Sequence, residues 1–369
     1  MDIILFKSQI CRANFDFAKT RLDSFHYTSD IAPFAQMEEP HYEEIVLDLH
    51  DISLLLNYER ASTEPRFRHT KLREVTTGEF STVKFLSPHW AQVTRPKIGF
   101  VFYRAQPTKS LQDEPDLPSN MLPNTIPASL SHLSSKELET YYWQARNHDG
   151  CFTTIALFQH FIDLFPEFTR VRVRQVDKDK TLVYSTLASD RFIVEMNLHE
   201  PHTVSMSAVL PDNQTYITGE DSTMIHAVLG FCTPGATIDT ILDLTSLQFG
   251  DVGRGTKGRG LFVLESVFQY AKRLEKFAKG SDFKNPKLSQ RIRDTPNDDW
   301  LKVVAQRVKD RWENRNDVPW CGHCGAPPRD RDLKKCSKCK AAWYCDADHQ
   351  SAAWTFHKHF CKEEVSDKN

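Results

Sequence analysis

The sequence predicts an α+β protein, a mixed α/β body followed by a small C-terminal domain rich in cysteine and histidine. Three observations carry that expectation. Helical and strand-like segments follow one another through residues 134–280. Six of the nine cysteines (Cys321, Cys324, Cys336, Cys339, Cys345 and Cys361) fall beyond residue 320. The chain of 369 residues, 40% apolar and 26% charged, has an ordinary globular composition and room for two or three domains.

Residues 1–105 read as a mixed N-terminal region. His41 to Tyr58 is apolar and ambiguous between helix and strand, and Ile98-Gly-Phe-Val-Phe-Tyr is strand-like. Residues 106–133 carry Pro107, Pro115, Pro118, Pro123 and Pro127 and read as a linker or long surface loop. Ser134-Ser-Lys-Glu is a capped helix start, and Cys151 to Phe165 is a second, apolar helix ended by Pro166. Strand-like pieces follow at Arg170–Val176, Thr181–Thr186, Phe192–Met196, Thr203–Leu210, Ile225–Phe231 and Thr240–Leu244. The Gly- and Arg-rich stretch Gly250 to Gly260 fails the phosphate-loop pattern, because Thr256 separates Gly255 from Lys257, and reads as a mobile basic loop. Val263 to Ala278 is helical. Residues 281–318 are a polar segment with an amphipathic helix from Trp300 to about Arg315. Residues 319–361 form the Cys/His domain and 362–369 a tail.

A formal net charge of −2 gives no general attraction to nucleic acid or to an anionic membrane. No apolar run approaches the ~20 residues that cross a bilayer. The start, Met-Asp-Ile-Ile-Leu-Phe-Lys, lacks the basic residues of a signal peptide, so an intracellular protein, nuclear or cytoplasmic, is expected. Paired Cys-x-x-Cys clusters in such a chain read as metal ligands and not as disulfides.

From Cys321 the spacing is C-x2-C-x11-C-x2-C-x5-C-x3-H-x7-H-x3-C, ending at Cys361. Eight ligands (Cys321, Cys324, Cys336, Cys339, Cys345, His349, His357 and Cys361) make two tetrahedral sets, as closed structural zinc sites require. His357 and Cys361, four apart, share one face of a helix. So short a segment has too little apolar area for a core of its own, and zinc must supply much of its folding energy.

The segment resembles the MYND zinc finger. Beyond the cysteines, Tyr344, Gln350, Trp354 and Lys358 stand where that family often has the same residues. The resemblance implies interleaved ligation, with Cys321, Cys324, Cys345 and His349 on one ion and Cys336, Cys339, His357 and Cys361 on the other. Position 349 departs from the family, which has cysteine there. Either His349 completes a site of three cysteines and one histidine, or it is a surface residue and the first ion is held weakly. A closed zinc site leaves no open position for hydrolysis. Lys334, Lys335, Lys338 and Lys340 make one edge basic, but Asp330, Asp332, Asp346 and Asp348 interrupt it, so nucleic acid is not the favoured partner. The resemblance implies recognition of a short peptide on a partner protein, with Trp343, Tyr344 and Trp354 as an aromatic floor.

A second constellation lies in the middle. Cys151 follows Asp149-Gly150 at the start of an apolar helix, where a thiolate is stabilised. His226 lies on one strand and Asp243 ends the next, across a turn at Pro234-Gly235. Together they have the chemistry of a nucleophile, its base and the group that orients the base. Gly150-Cys151, His226-Ala227 and Asp243-Leu244-Thr245 resemble the transglutaminase-like branch of the papain fold over about residues 141–280, with Val228 where that family usually has Trp. The resemblance implies acyl transfer or amide hydrolysis. Asn147-His-Asp-Gly-Cys151 is similar to the Asn-His-Ser-Cys motif of SET methyltransferases, but its spacing is off by one. An adaptor that binds protein partners through its finger is the first expectation, a Cys-His-Asp enzyme the second, and a SET enzyme the third.

Overall fold

The computed structural model describes residues 45–83, 90–106, 113–177, 180–233, 237–293, 297–328 and 332–362. The expectations for residues 1–44, for the turn at Pro234-Gly235 and for the tail beyond Lys362 lie outside the described residues.

The body is a mixed α/β structure of three sheets and five α-helices longer than four residues among the described residues, and the finger adds a fourth, two-stranded sheet and one helix. Its largest sheet has six strands: β6 (Phe192–Pro201), β9 (Thr223–Cys232), β10 (Ile238–Asp243), β11 (Val263–Ser266), β12 (Ala278–Ser281) and β13 (Lys287–Ser289). The order is β11-β10-β9-β6, and both β12 and β13 pair with the free edge of β6. Every ladder in it is antiparallel. Alternation along the strands buries both faces. Ile193, Leu229, Phe231 and Leu242 pack with α3 (Cys151–Ile162), α1 (Leu49–Thr63) and α5 (Asp298–Glu313). Val194, Met196, Val228 and Ile241 face the other way, onto α4 (Val267–Phe277).

A three-stranded sheet joins β1 (Val46–Asp48), β4 (Arg170–Asp177) and β5 (Lys180–Leu187). A four-stranded sheet runs β2 (Thr70–Thr76), β3 (Lys97–Arg104), β7 (Val204–Leu210) and β8 (Gln214–Thr218). The parallel pairing of β3 with β7 ties residues before the proline-rich stretch to residues well after it. From Asp113 onward the proline-rich segment is anchored to the body: Met121 and Leu130 are buried, and buried Asp116 faces Arg68 and Arg146. The two regions that this segment was expected to link therefore share one sheet and one core. Buried Asp116, Met121 and Leu130 anchor the segment's described part to the core, a role that composition alone does not separate from a linker's.

Local chemistry places the helices. At α2 (Ser135–Arg146), Ser134 and Glu137 form a reciprocal capping box. The described part of the ambiguous His41 to Tyr58 stretch, from Ile45, resolves into β1 and α1, with Asp48 capping the helix through the Asp51 N–H. The helix expected from Val263 begins later, because Val263–Ser266 pairs with β10 and Ser266 caps α4. The Gly250–Gly260 stretch is not a free basic loop, since Arg254 is buried and bonded to Thr140 Oγ1 at 3.0 Å.

Candidate functional sites

In the finger, β14 (Lys334–Lys335) pairs with β15 (Trp343–Tyr344), and α6 (Ala347–His357) follows. The first Cys-x-x-Cys turn folds back on itself, the Gly325 N–H donating to the Cys321 carbonyl at 2.8 Å. The second closes in the same way through Lys340 N–H and the Cys336 carbonyl at 3.1 Å. Asp346 caps α6 by accepting from His349 N–H at 2.8 Å, which fixes the turn that carries His349.

These turns gather the eight side chains into two sets, Cys321, Cys324, Cys345 with His349, and Cys336, Cys339, Cys361 with His357. In each set the ligand atoms all lie within 4.8 Å of one another. Sulfurs tetrahedral about zinc at ~2.3 Å stand about 3.8 Å apart, and sulfur to nitrogen about 3.6 Å. The pairs here are Cys324–Cys345 at 3.7 Å, Cys336–Cys361 at 3.9 Å, and Cys321 Sγ–His349 Nδ1 and Cys339 Sγ–His357 Nε2 both at 3.4 Å. Donor set and spacing fit two tetrahedral zinc ions, and His349 stands inside the first set. Bound there, each zinc ion would cross-link the β-hairpin, α6 and the chain ends without an open position for a substrate.

The finger sits against the body. Tyr58 joins its small apolar cluster with Leu333, Tyr344 and Ala353. Arg311 of α5 donates to the Gly325 carbonyl at 2.6 Å and pairs with Glu59 at 2.8 Å. Phe356 stacks on His50 with ring centroids 3.9 Å apart. Gly325 has φ +78°, and a Cβ there would stand 2.5 Å from the Leu54 carbonyl oxygen. Gly325→Ala is therefore expected to cost about 2–4 kcal/mol, from left-handed backbone strain plus the clash. Chemical denaturation of the zinc-loaded protein checks this, and a loss under about 0.5 kcal/mol would show that the contact is not held in solution.

Residues 321–361 match the family model of the MYND finger. The chain is similar to the "MYND-type zinc finger protein samB" of Aspergillus terreus, Aspergillus niger and Emericella nidulans, 34% identical over 65 residues in each case. Those matches take in 17% of this chain and 11% of each relative, so the chain covers about a tenth of the length of these relatives. No solved structure matches the chain. Residues 321–361 are thus a MYND-type zinc finger, carried on a mixed α/β body.

The second constellation also comes together. His226, on β9, offers Nε2 to the Asp243 carboxylate at 2.9 Å, and the Cys151 thiol lies within hydrogen-bonding reach of the same ring. The cysteine is the first residue of α3, whose entrance is set by left-handed Asp149 (φ 51°) and by Gly150. Asp243 is oriented in turn by Thr245 N–H at 2.9 Å and by the Tyr270 hydroxyl at 2.9 Å. Gln248 Nε2 lies 3.2 Å from His226 Nδ1. Burial works against charge on the His226 ring, but the Asp243 carboxylate and the Cys151 thiol overrule it and raise the ring to about 10. Burial likewise opposes the Asp243 charge, and His226, Tyr270 and Thr245 still hold its carboxyl below the usual range. Sequence reasoning missed Gln248 and Tyr270. Both approach His226 from outside β9 and β10, and neither belongs to a motif.

All of these groups lie inside. Cys151 is 5% exposed, His226 0% and Asp243 1%, and Phe249 packs edge-on against the His226 ring. The neighbouring Asn147 and His148 serve the core: Asn147 Oδ1 accepts from buried Arg60, and His148 bonds to Thr218 and Ser207 at 2.7 and 3.0 Å. Burial pushes His148 down to about 3, as befits a neutral ring between two hydroxyls. No helix among the described residues is long and apolar enough to cross a membrane.

Proposed function

We propose that the protein is a zinc-dependent interaction adaptor, whose finger takes up a short peptide segment of a partner protein while the body holds the finger in place. The observation that carries this is a cleft of about 600 Å³ where finger and body meet. Trp320, Trp343, Phe356 and Phe360 line it, with Arg174 and Arg315 among its polar groups. Flat aromatic faces receive apolar and proline side chains, and Arg315 suits carboxylates or carbonyls on the peptide, Arg174 being already paired with Asp48 and Asp51. Trp343 and Tyr344 belong to this floor; Trp354 is exposed and stands outside it. In this reading residues 319–361 are the binding module and the preceding chain is its scaffold.

The test is a peptide array probed with zinc-loaded protein, followed by fluorescence titration of the best sequences. Trp343→Ala is expected to weaken binding at least ten-fold, the cost of one central aromatic anchor, with zinc content unchanged. Binding that survives both Trp343→Ala and Phe360→Ala would remove the cleft from consideration.

The second reading is a cysteine acyl-transfer or amide-hydrolysing enzyme of transglutaminase-like type, with Cys151 as nucleophile, His226 as base and Asp243 orienting it. It is supported by the 2.9 Å His226–Asp243 contact and by the cysteine at a helix N-terminus. The adaptor reading is favoured because all three groups are buried, while an enzyme needs its nucleophile open to substrate. No observation favours a SET-type methyltransferase, since Asn147 and His148 are committed to core hydrogen bonds.

A further inference from the structure

We propose that Glu139, on helix α2 of the body, is the positioning residue for the first zinc site, holding His349 by accepting from its Nε2–H. In this site the finger presents histidine where its family has cysteine, and the two ligands make different demands. A thiolate brings its own negative charge and has no second polar atom to satisfy. A neutral imidazole bound through one nitrogen carries a proton on the other, and that N–H needs an acceptor.

The geometry assigns the two nitrogens. His349 Nδ1 is 3.4 Å from Cys321 Sγ and so faces the metal position. Nε2 points the other way, to Glu139 Oε1 at 3.8 Å. That is an ion-pair separation, with the carboxylate facing the Nε2–H across it. Glu139 is held for this task. Its Oε2 pairs with Arg254 Nη2 at 2.8 Å, and its Oε1 faces His323 Nε2 at 3.1 Å. The Glu139 side chain is only 12% exposed and His323 is buried. His323 lies between Cys321 and Cys324, so one carboxylate from the body touches both the cysteine turn and the helix that together make the site. Three thiolates and an imidazole also leave the zinc one negative charge short of four thiolates. Glu139 returns a charge of that sign just beyond the ligands.

The experiment uses the full zinc-loaded chain and a chromogenic chelator, following release from the two sites as separate phases. Glu139→Ala is expected to speed release from the first site about ten-fold or more, the usual effect of removing a carboxylate behind a histidine ligand, and to leave the second unchanged. Glu139→Gln keeps an acceptor and should recover part of the loss. The deciding comparison places the same changes in a His349→Cys background, where a thiolate needs no partner and Glu139→Ala should have no effect on release. In the cobalt-substituted protein, the visible bands of the three-sulfur, one-nitrogen centre should shift with Glu139→Ala, and the His349→Cys bands should not. Equal acceleration in both backgrounds would overturn the proposal, because Glu139 would then act only by seating the finger. No acceleration in the His349 background would overturn it as well. Should Glu139→Ala not fold, Glu139→Gln carries the same comparison with the same deciding outcomes.

Discussion

Stripping zinc from the protein is expected to unfold residues 321–361 and to lower the thermal midpoint of the body with them. The finger's apolar cluster is small and built largely from the ligands themselves, so metal binding is its folding energy. Its contacts with the body are not incidental. Leu54 and Tyr58 of α1 lie under Gly325, Arg311 of α5 reaches its carbonyl, and Phe356 covers His50. When the finger melts, Tyr58 and Leu54 lose their cover and the Arg311–Glu59 pair opens to water. Each kcal/mol of docking energy lost should lower the midpoint of a body this size by about 2 °C. Calorimetry with and without chelator measures it, and Cys336→Ser, which disables the second site alone, should reproduce much of the shift. A body transition indifferent to chelator would show that the finger is an independent domain.

The sequence made the finger legible because metal ligation leaves a spacing that nothing else requires. Each of the eight ligands is fixed by where a tetrahedron's corners must fall, and that constraint survives in one dimension. His349 was harder, since what makes it a fitting ligand is its approach to Cys321 and Cys324 across the fold. The docking surface left no such trace. Glu139 lies just beyond the first turn of a helix of which the sequence marks only the capped start, Arg254 reads as part of a basic loop, and only the tertiary fold puts them behind His349. The strands between residues 170 and 244 that show period-two alternation were placed well, while β2, which alternates in burial over Thr70–Thr76, was not read as a strand. Short edge pieces such as β12 and β13 were missed, because a three- or four-residue strand carries too few alternations to register. The proline-rich stretch misled for a related reason. Its buried anchors, Asp116, Met121 and Leu130, are spaced by tertiary contacts and not by a local period.

His226→Ala is expected to destabilise the body by about 3–5 kcal/mol, because it leaves the Asp243 carboxylate buried without its ionic partner. Asp243 would keep Thr245 and Tyr270, but these neutral donors do not replace the charge beside it. The pH dependence has a definite sign. His226 is raised from 6.5 to about 10, so its contribution is complete below pH 6.5 and is lost as pH rises towards 10. Asp243 is lowered from 3.8, so its contribution is present above that value and is lost on acidification. Denaturation midpoints from pH 4 to pH 10 should therefore fall at the alkaline end in the parent chain, and His226→Ala should flatten that fall. The same variants separate a structural triad from a working one. Cys151 and Cys232 are 5% and 8% exposed, so iodoacetamide should modify both slowly in the folded protein. Labelling of Cys151 well ahead of Cys232, with the lead abolished by His226→Ala, would mean that the cover over the thiol opens and that the imidazole activates it. That result would displace the adaptor reading of the body in favour of an enzyme. Slow labelling with the predicted pH profile would leave Cys151, His226 and Asp243 as a buried ionic anchor joining α3 to the β9–β10 pair.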